Sequence, residues 1–321
     1  MAPSPKQLRK VALAGATGTV GAPILKALLE AGHTVTVLTR STSTSALPSG
    51  VPVQRGSYED ESFAASALAG HDVLVLALNH TAYAAQAPLI RAAAKAGVRY
   101  VVPCEFGSDL AHEKLRSELL VVGEALRDVG VDLVKAKEPY RALAEELGVA
   151  WLGVTTGPWV ELTMRLGGYG VNVTKRAAAL LDGGKTRASI TTLTRVGESL
   201  AALLALPEGE LATYGNGWVY FSSFTVSQRE LLDSAIRATG TREEDWNVVD
   251  ENSDGVVAKC KEGLAKKDIM SGLRLLTTLS FKEGYGGDFS AKVVDNKKLG
   301  LEPESLDEVM KGVVAGFNAS A

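Results

Sequence analysis

Cysteine is scarce in this sequence. Cys104 and Cys260 are the only two among 321 residues, far apart and in no CxxC arrangement. That count argues against a disulfide framework or a structural zinc site and fits a reducing compartment. Neither sign of charge dominates: charged residues make up 22% of the chain and the formal net charge is −3. No electrostatic footprint for nucleic acid or an anionic membrane is expected from such a balance. No apolar run approaches the about 20 residues that a transmembrane helix needs. Met1 to Lys10 is polar and proline-containing, without the apolar stretch of a secretory signal. The expectation is a cytoplasmic protein with no nucleic-acid or membrane partner and no metal, acting as a monomer or homodimer.

What is present is a repeating scheme. Hydrophobic residues reach 46%, enough for one large or two modest cores. Lys10 to Ala14 reads as a buried strand, and Pro23 to Ala31 as a helix stopped by Gly32. "HTVTVLTR" alternates like a strand, and "SFAASALAGHDVLVLAL" and "AYAAQAPLIRAAAKAGVRYVVPCEFG" each repeat helix then strand. From Val121 the scheme continues as helix to about Arg127, strand "VDLVKA", helix "YRALAEEL" and strand "AWLGVTTG". Apolar strands alternating with helices predict an α/β Rossmann-type fold, a doubly wound parallel sheet covered on both faces. Residues 1–160, with returning segments at about 185–240, are expected to form the dinucleotide-binding domain. Residues at about 161–184 and 241–321 are expected to form a smaller, interleaved substrate lobe.

The first strand-to-helix junction carries "GATGTVG", with Gly15, Thr17, Gly18, Thr19, Val20 and Gly21. Glycines there let a backbone approach a pyrophosphate, whose charge is stabilised by free amides and the helix dipole. The G-x-x-G-x-x-G spacing alone is equally compatible with an ordinary tight turn. The end of the second strand adds information, because it carries Arg40, Ser41 and Thr42 where an NAD enzyme would carry Asp or Glu. A guanidinium flanked by hydroxyls suits a 2′-phosphate, so NADP(H) is the expected cofactor, although a solvated arginine in a polar loop reads the same way. Ser57 and Tyr58, after the third strand, are expected to flank the adenine. At later strand ends stand Leu78, Asn79 and His80, then "VPCEFGSD", "VKAKEPYR" and "TTGPWVE". His80 reads either as a contact to ribose or substrate or as a loop histidine without a role. Trp159 and Tyr169 read as aromatic walls for a planar substrate or as core residues. Asp109, His112 and Glu113 lack metal-site spacing.

No tyrosine is followed by lysine four residues later, so the Tyr-x-x-x-Lys pair of ordinary short-chain dehydrogenases is missing. Instead, GATGTVG, Arg40, "VRYVVPCEFGSD", Lys137-x-x-x-Arg141 and a later "GPW" together resemble the isoflavone reductase-like branch of the NmrA-like atypical short-chain dehydrogenases. The late "GYGGDFS…VVDNKKLGLEP" is most similar to fungal members. Plant members reduce isoflavones, pinoresinol, lariciresinol and phenylcoumaran benzylic ethers with NADPH. The resemblance implies that Pro103, Cys104, Glu105, Phe106, Gly107 and Pro158 border the nicotinamide or substrate. It also implies that Lys137, at the cofactor, is the general acid/base, with Lys135 as the fallback. Cys104 stands where the family has serine, and reads as a small buried residue more readily than a reactive thiol. Glu105 reads as a structural acceptor. An NADPH-dependent reductase of an aromatic, phenolic or polyketide-like small molecule is thereby implied. A dinucleotide sensor without turnover and a non-redox isomerase or cyclase are the alternatives.

Overall fold

The protein is described by a computed structural model over residues 6–126, 137–294 and 296–319. Its first half runs β1 (Lys10–Ala14), α1 (Gly21–Glu30), β2 (Thr34–Arg40), β3 (Val53–Gly56), α2 (Glu61–Leu68), β4 (Val73–Leu76), α3 (Gln86–Lys95) and β5 (Tyr100–Val102). There follow α4 (Glu113–Leu126), α5 (Glu138–Glu146), β6 (Ala150–Thr155), α6 (Val160–Arg165), β7 (Val171–Asn172), β8 (Ala177–Leu181), β9 (Arg187–Ile190) and α7 (Leu193–Leu204). The chain ends with α8 (Glu208–Leu211), β10 (Gly217–Tyr220), β11 (Phe224–Ser227), α9 (Gln228–Thr239), β12 (Asn247–Glu251), α10 (Ser253–Ala265), α11 (Ile269–Ser280), α12 (Asn296–Leu299) and α13 (Leu306–Ala319). The segment "VDLVKA" and Lys135 lie outside the described residues.

Seven parallel strands form the main sheet in the order β3-β2-β1-β4-β5-β6-β10. Alternation along β1 explains the two layers around it. Val11 and Leu13 join the core under α1 and α7, while Ala12 and Ala14 join the core under α2 and α3. Connections run to opposite sides from β1 and β4, so a crevice opens between their carboxyl ends, the usual ligand position in such sheets. Ala14 stands level with both Leu38 and Leu76 there.

A third core is built by elements outside the main sheet, together termed the lobe. Leu115, Leu119 and Val122 of α4 pack in the same cluster as Met164 of α6, Leu231 and Leu232 of α9, and Leu275 and Leu279 of α11. Two small sheets, β12-β8-β7 and β11-β9, brace this lobe. Residues 217–227 contain two strands: β10 joins the main sheet and β11 pairs antiparallel with β9. Ser227 caps α9 in a reciprocal capping box with Glu230, and Gly240 ends the helix at φ 63°. Among the described residues, no helix is long and apolar enough to cross a membrane.

Candidate active site

The glycine turn is shaped first by the protein's own backbone. Gly15 has φ +86°, and a Cβ there would lie 2.2 Å from the Ala77 carbonyl oxygen at the end of β4. A Cβ on Gly21 would lie 2.0 Å from the Gly15 carbonyl oxygen. These two glycines therefore serve close strand–turn–helix packing. The exposed tip is Thr17, Gly18 and Thr19, directly before the first turn of α1, where unsatisfied amides and the dipole favour an anion. Gly18 donates back to Gly15 at 3.0 Å and closes the turn.

Arg40, Ser41 and Thr42 are exposed at the end of β2, and Arg55 braces their loop by donating to the Ser43 carbonyl at 2.8 Å. Ser57 is exposed beside them. Tyr58 turns inward instead: its phenol donates to the Leu38 carbonyl at 2.9 Å, and burial pushes it up to about 12. The glycine cradle, the helix N-terminus and Arg40, which pairs with no acid among the described residues, fit a dinucleotide bearing a 2′-phosphate.

Across the crevice, residues 103–107 form a constrained loop. Glu105 N–H donates to the Pro103 carbonyl at 2.7 Å, and Phe106 adopts φ 28°, uncommon for a side-chain-bearing residue. The Gly107 carbonyl anchors the loop by accepting from the amides of Thr156 and Gly157, each at 3.0 Å. Cys104 performs a structural task. Its thiol donates to the Leu76 carbonyl at 3.0 Å and accepts from the Leu78 amide at 3.3 Å, tying β4 to β5. Burial pushes that thiol up to about 12, far from a reactive thiolate.

Lys137 begins α5. Its Nζ donates to the Glu105 backbone carbonyl at 2.7 Å and lies 3.5 Å from the Glu105 carboxylate. Arg141, one turn later, pairs with the other carboxylate oxygen, and its guanidinium stacks 4.8 Å from the Trp218 ring and 5.6 Å from Trp151. The Glu105 side chain is only 3% exposed, so burial with two cations makes it a fixed counter-charge rather than a free acid.

One cavity of about 470 Å³ joins these parts. Val20 of the glycine turn, Ala77, Leu78, Cys104 to Gly107, Lys137, Pro158 and Trp159 line its sheet side. Leu110, Leu119, Leu162, Ile269, Leu273 and Leu276 line its lobe side, and Tyr83, Ser108, Thr163 and Thr277 bring hydroxyls to the cavity. Asn79 is exposed and accepts from the Thr81 amide at 3.1 Å, capping the 3-10 turn His80–Ala85; the His80 side chain lies outside the described residues.

Tyr169 is a correction. It is fully buried and does not line the cavity. Its phenol donates to the Pro158 carbonyl at 3.0 Å and its ring packs edge-on against Phe281, so it supports the wall from behind. Asp109 and His112 have structural partners: Asp109 accepts from Tyr220 and Lys292, and His112 accepts from the Leu115 amide. Sequence reasoning missed Tyr83, which lines the cavity beside Lys137 and stands three residues after His80. It also missed the lobe residues of α4 and α11. What their apolar faces meet depends on packing between distant segments, which no local period reveals.

Residues 7–120 match the family model described as the NmrA-like family. The oxidoreductase aprR of Aspergillus flavus is 30% identical over 310 residues, covering 96% of this chain and 99% of its own. Among solved structures, an isoflavone reductase superposes with a TM-score of 0.72 at 18% identity, over 95% of this chain and 99% of its own. AtPrR2 with NADP+ and (+)pinoresinol superposes with a TM-score of 0.75 at 19% identity, over 96% and 99%.

Proposed function

Because the chain belongs to the NmrA-like family and has a full-length oxidoreductase relative, we propose that it is an NADPH-dependent reductase of a small, neutral, aromatic, phenolic or polyketide-like molecule. One observation carries this reading. A single cavity runs from the glycine turn and the 104–107 loop, past Lys137, into an apolar chamber roofed by α4, α6 and α11. A dinucleotide sensor needs only the first part, so the chamber favours turnover.

Thr17, Gly18 and Thr19 with the start of α1 would hold the pyrophosphate, Arg40 with Ser41 and Thr42 the 2′-phosphate, and Val20, Leu78, Cys104 to Phe106 and Pro158 the nicotinamide. When bound, the reduced nicotinamide supplies a hydride. The chain's own residues do the rest. The aliphatic walls exclude water, Trp159 offers a flat face to a ring, and Lys137 handles the proton needed by the oxygen or carbon left electron-rich. Both charged groups in the cavity, Lys137 and Glu105, are already paired, which favours an uncharged substrate.

The test is NADPH oxidation against a panel of quinones, flavonoids and phenolic ketones, with wild type and Lys137→Ala. Acceptor-dependent loss of nicotinamide absorbance is expected for the wild type. The variant should lose turnover while binding NADPH as before. Survival of turnover in Lys137→Ala would refute the role given to the lysine.

A further inference from the structure

The sequence lacks the Tyr-x-x-x-Lys spacing, yet the fold brings a tyrosine and a lysine together from separate elements. Tyr83 sits in the 3-10 turn after β4, and Lys137 begins α5. Both line the cavity, and the Lys137 ammonium lies 6.0 Å from the centre of the Tyr83 ring. The ammonium is held in place by the Glu105 carbonyl, with the Glu105 carboxylate shared between it and Arg141.

Among the described residues, the groups that act on the Tyr83 phenol are few. Burial raises its pKa most, the Lys137 charge opposes that rise, and Cys104 and Glu105 add smaller increases. A phenol in such a place is neutral at ordinary pH and can give up its proton only with a cation close by. Lys137 is that cation.

We propose that Tyr83 is the catalytic residue that hands the proton to the substrate, with Lys137 acting through it. The proposal rests on the reductase reading above. The phenol O–H bond breaks and its proton passes to the substrate oxygen as a hydride from reduced nicotinamide reaches the neighbouring carbon. The substrate gains two electrons and the nicotinamide loses them. The Lys137 charge stabilises the tyrosinate until it takes a proton from water at the cavity mouth, the hydroxide passing to solvent. This relay recreates, from two distant segments, the phenol–ammonium chemistry whose usual local motif is absent.

Tyr83→Phe keeps the ring and removes only the hydroxyl. It should lower kcat by about 100-fold or more, with NADPH affinity unchanged in a fluorescence titration. A second readout does not depend on turnover. In protein labelled at tyrosine Cζ with carbon-13, the Tyr83 resonance is identified by its loss in Tyr83→Phe. Its titration midpoint should move to higher pH in Lys137→Met and stay near the wild-type value in Lys137→Arg. Wild-type kcat in Tyr83→Phe, or one midpoint shared by wild type and Lys137→Met, would overturn the proposal. No NADPH oxidation by wild type with any acceptor would instead overturn the reductase reading, so the two failures are distinguishable.

Discussion

Lys137 and Glu105 meet twice: the ammonium donates to the backbone carbonyl of Glu105 at 2.7 Å and lies 3.5 Å from its carboxylate. The first contact fixes the position of Nζ against a rigid loop. The second balances its charge inside a largely apolar cavity. Arg141 completes the arrangement by holding the other carboxylate oxygen while wedged against Trp151 and Trp218.

Removing Arg141 leaves a buried carboxylate with one partner instead of two and empties the space against two tryptophans. Arg141→Leu should cost about 3 kcal/mol of unfolding free energy, measured by urea denaturation, because breaking one side of a buried ion pair strands the other charge. A loss within the error of the denaturation midpoint would show that Glu105 does not depend on Arg141.

The proposed NADPH site makes Arg40 the residue that sets cofactor choice. Arg40→Ala should weaken NADPH by about 10- to 100-fold, the range of one charge-assisted hydrogen bond, and leave NADH nearly unchanged. Fluorescence titration of both dinucleotides tests this, and equal losses would refute the phosphate assignment.

The glycines separate into two classes. Gly15→Ala places a methyl group 2.2 Å from the Ala77 carbonyl oxygen at φ +86°, so the variant should be insoluble or lose several kcal/mol, about 3 or more. At Gly18, whose Cβ would lie 3.3 Å from the Gly15 oxygen, alanine should fold and lose NADPH affinity. Thermal melts alongside NADPH titrations separate the two effects. A folded, NADPH-binding Gly15→Ala would contradict the packing account.

Cys104 should resist thiol reagents in the native state. Its pKa, raised by burial to about 12 from the usual value near 9, keeps it neutral while folded. The sign follows: this stabilisation is complete below the unfolded value and is lost as pH climbs through the range up to the folded one. Stability should therefore fall with rising pH above about 9 in wild type and less steeply in Cys104→Ser. Rapid labelling of Cys104 by a disulfide reagent at neutral pH would refute the assignment.

Filling the chamber should separate substrate from cofactor. Leu276→Trp adds bulk to the lobe wall, away from the glycine turn, and should raise KM or abolish turnover while NADPH affinity stays unchanged. Equal loss of both would mean that the chamber is not a distinct substrate compartment.

Much of the architecture follows from local patterns. The period of apolar residues marks β1, β2, β4, α1 and α3, because burial on one or two faces imposes that period directly. The glycine turn and Arg40 were readable for the same reason: each depends on its own strand end. Other features needed the assembled chain. That Tyr169 lies behind Pro158 rather than in the cavity depends on how β7 and α11 pack around it, and its sequence neighbourhood has no period to reveal this. That Lys137 and Arg141 converge on Glu105, that Tyr83 stands beside them, and that α4 and α11 close the chamber are consequences of crossovers and lobe packing. The sequence by itself determined the sheet and the glycine turn, since these are written in residue types at short range. Only the tertiary structure decided which distant side chains share the cavity, because that depends on contacts between segments far apart in the chain.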